Sequence, residues 1–329
     1  MRNKFLSRII LLIPALIIFQ LFVSFTPTYE NKGDEDMIDK PSRGTPKVIE
    51  LSEDDERWVN ETLESMTLYD KCAQVFMPAV FGKALDQQSK EFQFALEMVK
   101  IHGIGGIVIS TGDVEETASM IAELQKNSKI PLLVSADFEN GIGMRMNASN
   151  KFPHNMALGS TYNPDFAYET GKATAIESLL LGVNINLAPV ADVNNNPGNP
   201  VINLRSFSED KDAVTEFCQS FVNGSLDGGV IPVAKHFPGH GNTKTDSHVD
   251  LPVINGSKET LMDNELKPFI SLIENKVPAI MTGHLNVPAF DSNQKIPASL
   301  SYNIITKLLK EQLGFKGLII TDALDMKAV

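Results

Sequence analysis

The sequence predicts an α/β protein of the (β/α)8 TIM-type barrel class, apparently truncated after the seventh strand. Short apolar runs alternate with segments of helical period through most of the chain, a pattern typical of a parallel sheet. Polar residues follow almost every apolar run, as they do at the carboxyl ends of barrel strands. The alternative is an open doubly wound sheet, but no glycine-rich dinucleotide loop follows the first run.

Seven apolar runs are predicted as strands and six segments as helices. The strands are Gln74 to Val80, Gly106 to Ser110, Pro131 to Ala136, Asn184 to Ala188, Ile231 to Ala234, Pro278 to Thr282 and Gly317 to Thr321. The helices are Gln87 to His102, Val114 to Asn127, Asp165 to Leu181, Ala213 to Asp227, Lys258 to Asn275 and Tyr302 to Leu313. Because a barrel closes to pair its edge strands, we expect a chain ending at Val329 to lack the last strand and helix.

The N-terminus combines basic side chains with an apolar stretch. Arg2, Lys4 and Arg8 precede the stretch Ile9 to Val23, which matches the charged and apolar regions of a secretory signal. The predicted division is 1–28 as signal peptide or N-terminal membrane anchor, 29–50 as linker and 51–329 as barrel domain with its C-terminal end missing. We therefore expect an exported protein, either periplasmic or membrane-anchored and facing the periplasm or exterior.

Composition narrows the class of partner. The chain has 329 residues, 43% of them hydrophobic, and a formal net charge of −12, which argues against binding a nucleic-acid backbone. A neutral or cationic small substrate fits this charge better. Cys72 and Cys218 lack the spacing of a metal site, and we predict core thiols or, as an alternative, one disulfide.

The polar residues at the predicted strand ends are the first candidates for chemistry. They are Asp137 and Glu139, Asp192 and Asn194, Lys235 and His236, His284 and Asn286, and Asp322. A carboxylate such as Asp322, at the end of a buried strand, is expensive to bury without a purpose. Its alternative role is to cap the helix predicted to begin there, which Asp does well.

The richest cluster reads K-H-F-P-G-H-G-N-T-K-T-D-S-H, from Lys235 to His248. Asp246 is two residues from His248, close enough to hold the imidazole tautomer and to make a general acid/base near neutral pH. Lys235 and His236 follow a strand directly and are predicted to donate hydrogen bonds to ligand oxygens. A surface loop with an incidental ion pair is the alternative.

A zinc site is a second interpretation of this cluster. Its ligands would be His236, His240, Asp246 and His248. The four-residue spacing of the first two would suit a helix, but Pro238 and Gly239 lie between them and break it. We therefore predict neither a metal nor a cofactor.

Two further segments offer groups for binding sugars. Asp137 and Arg145 bracket a glycine-containing turn, and Arg205 lies in a polar loop after the fourth predicted strand. Asp accepts bidentate hydrogen bonds from adjacent hydroxyls, and Arg donates in a fork. A structural Asp137–Arg145 pair and a loop-stabilising Arg205 remain the alternatives.

Several motifs occur together and in order. K-H-F-P-G-H-G is followed by D-S-H and, downstream, by I-T-D-A-L-D-M; upstream lie A-D-F-E-N-G-I-G-M-R, F-P-H-N-M-A-L-G, L-A-P-V-A-D-V and N-L-R-S-F-S. This set resembles the β-N-acetylglucosaminidase (β-N-acetylhexosaminidase) branch of glycoside hydrolase family 3, from Leu51 to Val329. Asn140 departs from the family pattern, which usually has Gly at that position.

The resemblance implies roles for individual residues. It implies that Asp322 is the nucleophile and that His248, paired with Asp246, is the acid/base of a retaining hydrolysis. It places five residues around the N-acetylglucosamine of a glycan substrate: Asp137, Arg145, Arg205, Lys235 and His236. The expected substrates are peptidoglycan fragments or chitooligosaccharides, and phosphate is an alternative acceptor to water.

Two other functions remain open. One is a family 3 β-glucosidase, although the resemblance implies that this branch lacks the K-H-F-P-G-H-G and D-S-H loop. The other is a non-catalytic protein that binds N-acetylglucosamine.

Overall fold

The computed structural model describes residues 51–82, 89–147, 149–244, 250–293 and 296–329. The predicted signal or anchor and the whole predicted linker lie outside the described residues, as do Asp246 and His248. Among the described residues, no helix is both long enough and apolar enough to cross a membrane.

The strands form one parallel sheet. They are β1 (Ala79–Gly82), β2 (Gly106–Asp113), β3 (Leu133–Ala136), β4 (Met146–Asn147), β5 (Ile185–Asn186), β6 (Ile231–Phe237), β7 (Ala279–Thr282) and β8 (Leu318–Thr321). Their order is β1-β2-β3-β5-β6-β7-β8, and the short β4 pairs with β2 beside this path. Seven parallel strands that pair in chain order confirm the predicted barrel class.

Helices separate most neighbouring strands. They are α1 (Glu53–Ser65), α2 (Leu68–Ala73), α3 (Lys90–Glu97), α4 (Val114–Asn127), α5 (Asn155–Gly159), α6 (Asp165–Leu181), α7 (Lys211–Asp227), α8 (Lys258–Asp263) and α9 (Lys267–Glu274), with π-helical turns at Met98–His102 and Asn303–Gln312. Side chains of Ser52, Thr67, Ser89, Asp210 and Ser257 accept first-turn N–H groups. These caps fix where five of the helices begin.

The sheet separates two apolar layers. Ala279 and Met281 pack with Ile185 and Val233 on one face. Ile280, between them on β7, packs with residues of α7 and α9 on the other face. This alternation follows from the two-residue period of a strand. Apolar residues therefore fill both the inside of the curled sheet and the space beneath its helices.

The structure corrects four predicted elements. Gln74 still donates to Asp70 at the end of α2, so the first strand begins only at Ala79. The helix predicted over Lys258–Asn275 is two helices, because Pro268 has no N–H to continue the first through the junction. β6 extends to Phe237, so Lys235 and His236 lie within the strand. Turns, and no helix, occupy residues 323–328.

The cysteine prediction is half right. Cys218 is buried and Cys72 is exposed, and both are free thiols. Burial raises the pKa of the Cys218 thiol well above its ordinary value. Cys72 therefore is not a core thiol, and the disulfide alternative is wrong.

Candidate active site

The carboxyl ends of the parallel strands bring the candidate side chains to one edge of the sheet. Asp137 follows β3, Lys235 and His236 end β6, and Asp322 follows β8. Arg145 is carried by the turn before β4, and Arg205 ends a 3-10 turn, Asn203–Arg205. The structure brings the five predicted sugar-binding residues into one connected network.

Asp137 lies between two cations. Its Oδ1 accepts from Lys235 Nζ at 2.7 Å, and its Oδ2 accepts from Arg145 Nη2 at 2.7 Å. Burial alone would raise the pKa of Asp137, but the charges of Lys235 and Arg145 outweigh it and hold the pKa below its ordinary value. Asp137 is therefore ionised at neutral pH, and a quarter of its side chain is exposed.

Glu139 is a second carboxylate in the network. It accepts from Lys235 Nζ at 2.8 Å, from Arg205 Nη2 at 2.7 Å and from Arg205 Nε at 3.0 Å. Its side chain is 5% exposed, and the Lys235 ammonium and Arg205 guanidinium overcome the effect of burial and depress its pKa. Glu139 therefore orients both cations and is almost covered from a ligand.

Lys235 is the centre of the network. Its side chain is 1% exposed, and two carboxylates share its ammonium group. Burial would lower its pKa, but Asp137 and Glu139 raise it above its ordinary value. A permanent buried charge with matched partners gives a fixed electrostatic site.

Asp192 holds the segment that follows β6. This fully buried carboxylate accepts from His236 Nδ1 at 2.7 Å and from the His240 backbone N–H at 2.6 Å. Burial opposes ionisation of Asp192, but His236 and the hydrogen bonds lower its pKa. Because the carboxylate accepts at Nδ1 and Arg205 donates towards Nε2 at 3.4 Å, His236 carries its proton on Nδ1.

Two positions of this segment are glycine because a larger side chain would clash or be strained there. A Cβ on Gly241 would overlap the carbonyl oxygen of Val193. Gly239 has φ +121°, a conformation that favours glycine, and a Cβ there would lie 2.9 Å from Glu265 Cβ. His240 is buried, and its Nδ1 lies 2.8 Å from Thr243 Oγ1. Burial lowers the pKa of His240, and these contacts give His240 a structural role in holding the loop.

Asp322, unlike the carboxylates above, is bonded only by backbone groups among the described residues. Its backbone N–H donates to Thr282 O at 2.9 Å, which continues the β7–β8 ladder. Its Oδ1 accepts from the Ala323 N–H at 2.9 Å. Among the described residues nothing donates to Oδ2, and the side chain is half-buried. This bond and the turns that follow do not match the alternative of a helix cap.

The metal alternative involves His236, His240, Asp246 and His248. Among the described residues, no group of three or more His, Cys, Asp or Glu side chains is placed to hold a metal ion. The His236 and His240 rings lie 6.0 Å apart, centroid to centroid, and their Nδ1 atoms face Asp192 and Thr243. Two of the four proposed zinc ligands, Asp246 and His248, lie outside the described part of the chain.

The family model for the glycosyl hydrolase family 3 N-terminal domain matches residues 67–329. The chain belongs to glycosyl hydrolase family 3. A beta-hexosaminidase A from Pseudoalteromonas piscicida is 38% identical over 71% of this chain and 43% of its own length. A protein named beta-N-acetylglucosaminidase/beta-glucosidase from Cellulomonas fimi is 27% identical over 86% of this chain and 50% of its own length.

Solved structures of family 3 show the same fold. The structure of a family 3 β-N-acetylglucosaminidase from Paenibacillus sp. str. FPU-7 superposes with a TM-score of 0.75 at 38% identity, covering 80% of this chain and 51% of that one. This chain therefore spans about half the length of these relatives. The family predicted from the motifs is confirmed, and the names of these relatives agree with the predicted branch.

Glu139 and Asp192 are among the polar residues that follow predicted strands, and the sequence predicts no role for either. Both are carboxylates directly after an apolar run, and their burial at 4% and 0% exposure marks them in the structure. The signal that could have found them is the one used for Asp322, that an unpaired buried carboxylate is costly and implies a cationic or N–H partner.

Proposed function

We propose that the protein is a glycosidase, a retaining exo-β-N-acetylglucosaminidase that removes terminal N-acetylglucosamine from peptidoglycan fragments or chitooligosaccharides. The observation that carries the proposal is the Asp137–Lys235–Glu139–Arg205 network at the strand edge that also presents Asp322. Family membership and the names of the relatives support it.

The network supplies the binding half of the site. Asp137 is ionised and partly exposed, so its remaining lone pairs are suited to accept from adjacent sugar hydroxyls. Arg145 and Arg205 are 32% and 29% exposed, and their guanidinium groups are suited to donate to hydroxyl or acetamido oxygens. In the tautomer described, His236 Nε2 is an acceptor. The predicted donation from His236 to a ligand would need a proton on Nε2 as well, and it stays a prediction.

Asp322 supplies the nucleophile. Oδ1 is held by Ala323, and Oδ2 is the oxygen that we assign to attack at the anomeric carbon. Attack forms a bond from Oδ2 to the anomeric carbon as the bond to the leaving oxygen breaks. A second displacement by water then restores the original configuration.

His248 and Asp246 supply the acid and base. The described residues on either side of them in sequence are bonded to neighbouring segments: Thr243 O accepts from Asn196 Nδ2 at 2.8 Å, and the Ile254 N–H donates to Asn286 O at 2.8 Å after β7. The D-S-H motif after K-H-F-P-G-H-G supports the assignment. His248 protonates the leaving oxygen and then takes a proton from the attacking water, while Asp246 orients its ring.

The first experiment is release of p-nitrophenol from its β-N-acetylglucosaminide by the parent, Asp322→Asn and His248→Ala. We expect turnover by the parent and loss with both substitutions. Asp322→Asn should also fail to form the covalent glycosyl-enzyme that mass spectrometry detects with a slow substrate. Full activity in Asp322→Asn would overturn the mechanism.

The same assay separates the other functions. A β-glucosidase would prefer p-nitrophenyl β-glucoside, an activity included in the name of the Cellulomonas relative. Phosphate dependence with a sugar phosphate as product would show phosphorolysis, and binding of N-acetylglucosamine without turnover would show a non-catalytic protein. Loss of activity with EDTA and recovery with zinc would favour a metal hydrolase.

We also propose that the protein is exported, with residues 1–28 as the signal peptide or membrane anchor. The basic and apolar composition of this segment supports the proposal. Fractionation of cells should then find the protein in the periplasm or on the outer side of the membrane. Recovery of the unprocessed chain from the cytosol would overturn it.

A further inference from the structure

His284 lies beside the segment that carries Asp322 and has no role in the mechanism above. It follows β7 by two residues and is fully buried. β7 and β8 are paired along their whole length, from Ala279 with Leu318 to Thr282 with Thr321. The end of β7 therefore places the imidazole next to the chain that leaves β8.

Both ring nitrogens of His284 have partners. Nε2 lies 2.8 Å from Ala323 O, and Nδ1 lies 2.6 Å from Ser299 Oγ. Because a carbonyl oxygen only accepts, Nε2 carries the proton, and Nδ1 accepts from the Ser299 hydroxyl. Ser299 is itself buried in the turn Ala298–Leu300, whose first N–H donates to Leu285 O at 2.7 Å. The imidazole is thus fixed in one orientation and one tautomer.

The contact with Ala323 reaches Asp322 through one residue. The Ala323 carbonyl accepts from His284, and the Ala323 N–H donates to Asp322 Oδ1. Residues 323–325 are exposed and have no helix or strand to hold them. A further bond, from Met326 N–H to Ala323 O at 3.2 Å, is local to the turn. His284 therefore links this exposed turn to the buried strand β7.

We propose that His284 is a positioning residue: it holds the Ala323 peptide so that Asp322 Oδ1 is fixed and Oδ2 faces the substrate. This inference rests on the proposed function of Asp322. It goes beyond that proposal because His284 acts through a backbone group and touches neither substrate nor the reacting atoms.

The test uses turnover of an activated substrate, 2,4-dinitrophenyl β-N-acetylglucosaminide, which needs little help from a general acid. His284→Leu removes the N–H donor, and His284→Gln keeps a donor at similar reach. His102→Leu is the matched control, since this histidine precedes β2 at the opposite end of the strands and bonds Tyr69. We expect kcat to fall about 100-fold in His284→Leu, to recover largely in His284→Gln and to stay unchanged in the control.

A second measurement separates positioning from a general loss of structure. In an Asp322→Gly background, azide replaces the carboxylate as nucleophile: its nitrogen bonds to the anomeric carbon while 2,4-dinitrophenolate leaves with the electron pair, giving the α-glycosyl azide. A residue that acts only by positioning Asp322 has nothing to position there. Adding His284→Leu to Asp322→Gly should therefore change the rate of azide formation by less than about twofold.

The outcomes are distinct. An equal fall in the carboxylate and azide reactions would show a structural role for His284 and overturn the inference. Unchanged kcat in folded His284→Leu would also overturn it, while the proposed function would stand. No turnover by the parent would overturn the proposed function and the role of His284 together. If His284→Leu does not fold, Ser299→Ala, which only releases the ring, provides the same comparison with a smaller expected loss.

Discussion

The two halves of the candidate site are held by different means. On the β3–β6 side, the carboxylates of Asp137 and Glu139 accept six charge-assisted contacts of 3.2 Å or less from Lys235, Arg145 and Arg205, and each carboxylate contacts two cations. On the β8 side, Asp322 has one side-chain hydrogen bond among the described residues. The difference indicates that the proposed binding half is held tightly by the fold and that Asp322, the proposed nucleophile, has few contacts with it.

This contrast fits the different requirements of ligand recognition and nucleophilic attack. Groups that recognise a ligand gain from being fixed in advance, because no ordering cost arises at binding. A nucleophile needs an accessible oxygen, and extra donors to Asp322 would weaken that oxygen as an electron-pair donor. We therefore expect substitutions in the first half to alter stability strongly and substitutions of Asp322 to alter it little.

The largest effect on stability is expected for Lys235→Met. The substitution leaves Asp137 and Glu139 facing each other without the buried ammonium that neutralises both. Breaking a buried ion pair by removing one partner costs about 3–5 kcal/mol. Urea unfolding should show this loss in the free energy of unfolding. Lys316→Met, at an exposed position before β8, is the matched control, and an equal loss in both variants would contradict the network's importance.

A smaller loss is expected for Asp192→Asn. The amide keeps the shape and one acceptor, but it places an NH2 group among N–H donors from His236 and His240. Weakening hydrogen bonds to a buried charge should cost about 2 kcal/mol of unfolding free energy. If Asp192→Asn unfolds at the parent's urea midpoint, Asp192 does not hold the segment after β6.

The pH dependence of stability should show two steps. The fold lowers the pKa of His240 from its ordinary value of 6.5. The contribution of His240 to the free energy of unfolding is therefore complete above pH 6.5 and declines as the pH falls from there towards the lower pKa of the folded state. The fold depresses the pKa values of three carboxylates from their ordinary values, which are 3.8 for Asp137, 4.5 for Glu139 and 3.8 for Asp192. Their contribution to the free energy of unfolding therefore declines as the pH falls below about 4.5.

Urea midpoints measured from pH 7.5 to pH 3 should show both declines. His240→Gln should remove the upper one and leave the lower, while Glu139→Gln should lessen the lower one. A stability that rises as pH falls from 7 to 5 would contradict the sign for His240.

Much of the fold could be predicted because it depends on local pattern. The helices Val114–Asn127 and Asp165–Leu181 begin and end where their periodicity predicts. The errors lie where tertiary contacts decide: β6 continues through Lys235 and His236 because buried carboxylates neutralise the lysine and bond the histidine. Apolarity alone predicts that the strand ends at Ala234, whereas β6 ends at Phe237.

The candidate site divides in the same way. Residue types at strand ends were enough to select Asp137, Lys235, His236 and Asp322, and residue types in the following turn and loop were enough to select Arg145 and Arg205. Glu139 pairs with Arg205 and Lys235, which follow it by 66 and 96 residues in sequence, and no local pattern encodes such contacts. His284 was noted only as polar, because its role depends on a carbonyl 39 residues away.

The smallest effect on stability is expected for Asp322→Asn. The side chain is half-buried, and Asn retains an oxygen that accepts from the Ala323 N–H. The free energy of unfolding should therefore stay within about 0.5 kcal/mol of the parent's, as for surface substitutions that break no buried contact. Turnover should nevertheless be lost, because an amide does not displace the leaving group. A loss of stability as large as that of Lys235→Met would show that Asp322 is as firmly built into the fold as the network, and the contrast between the two halves would fail.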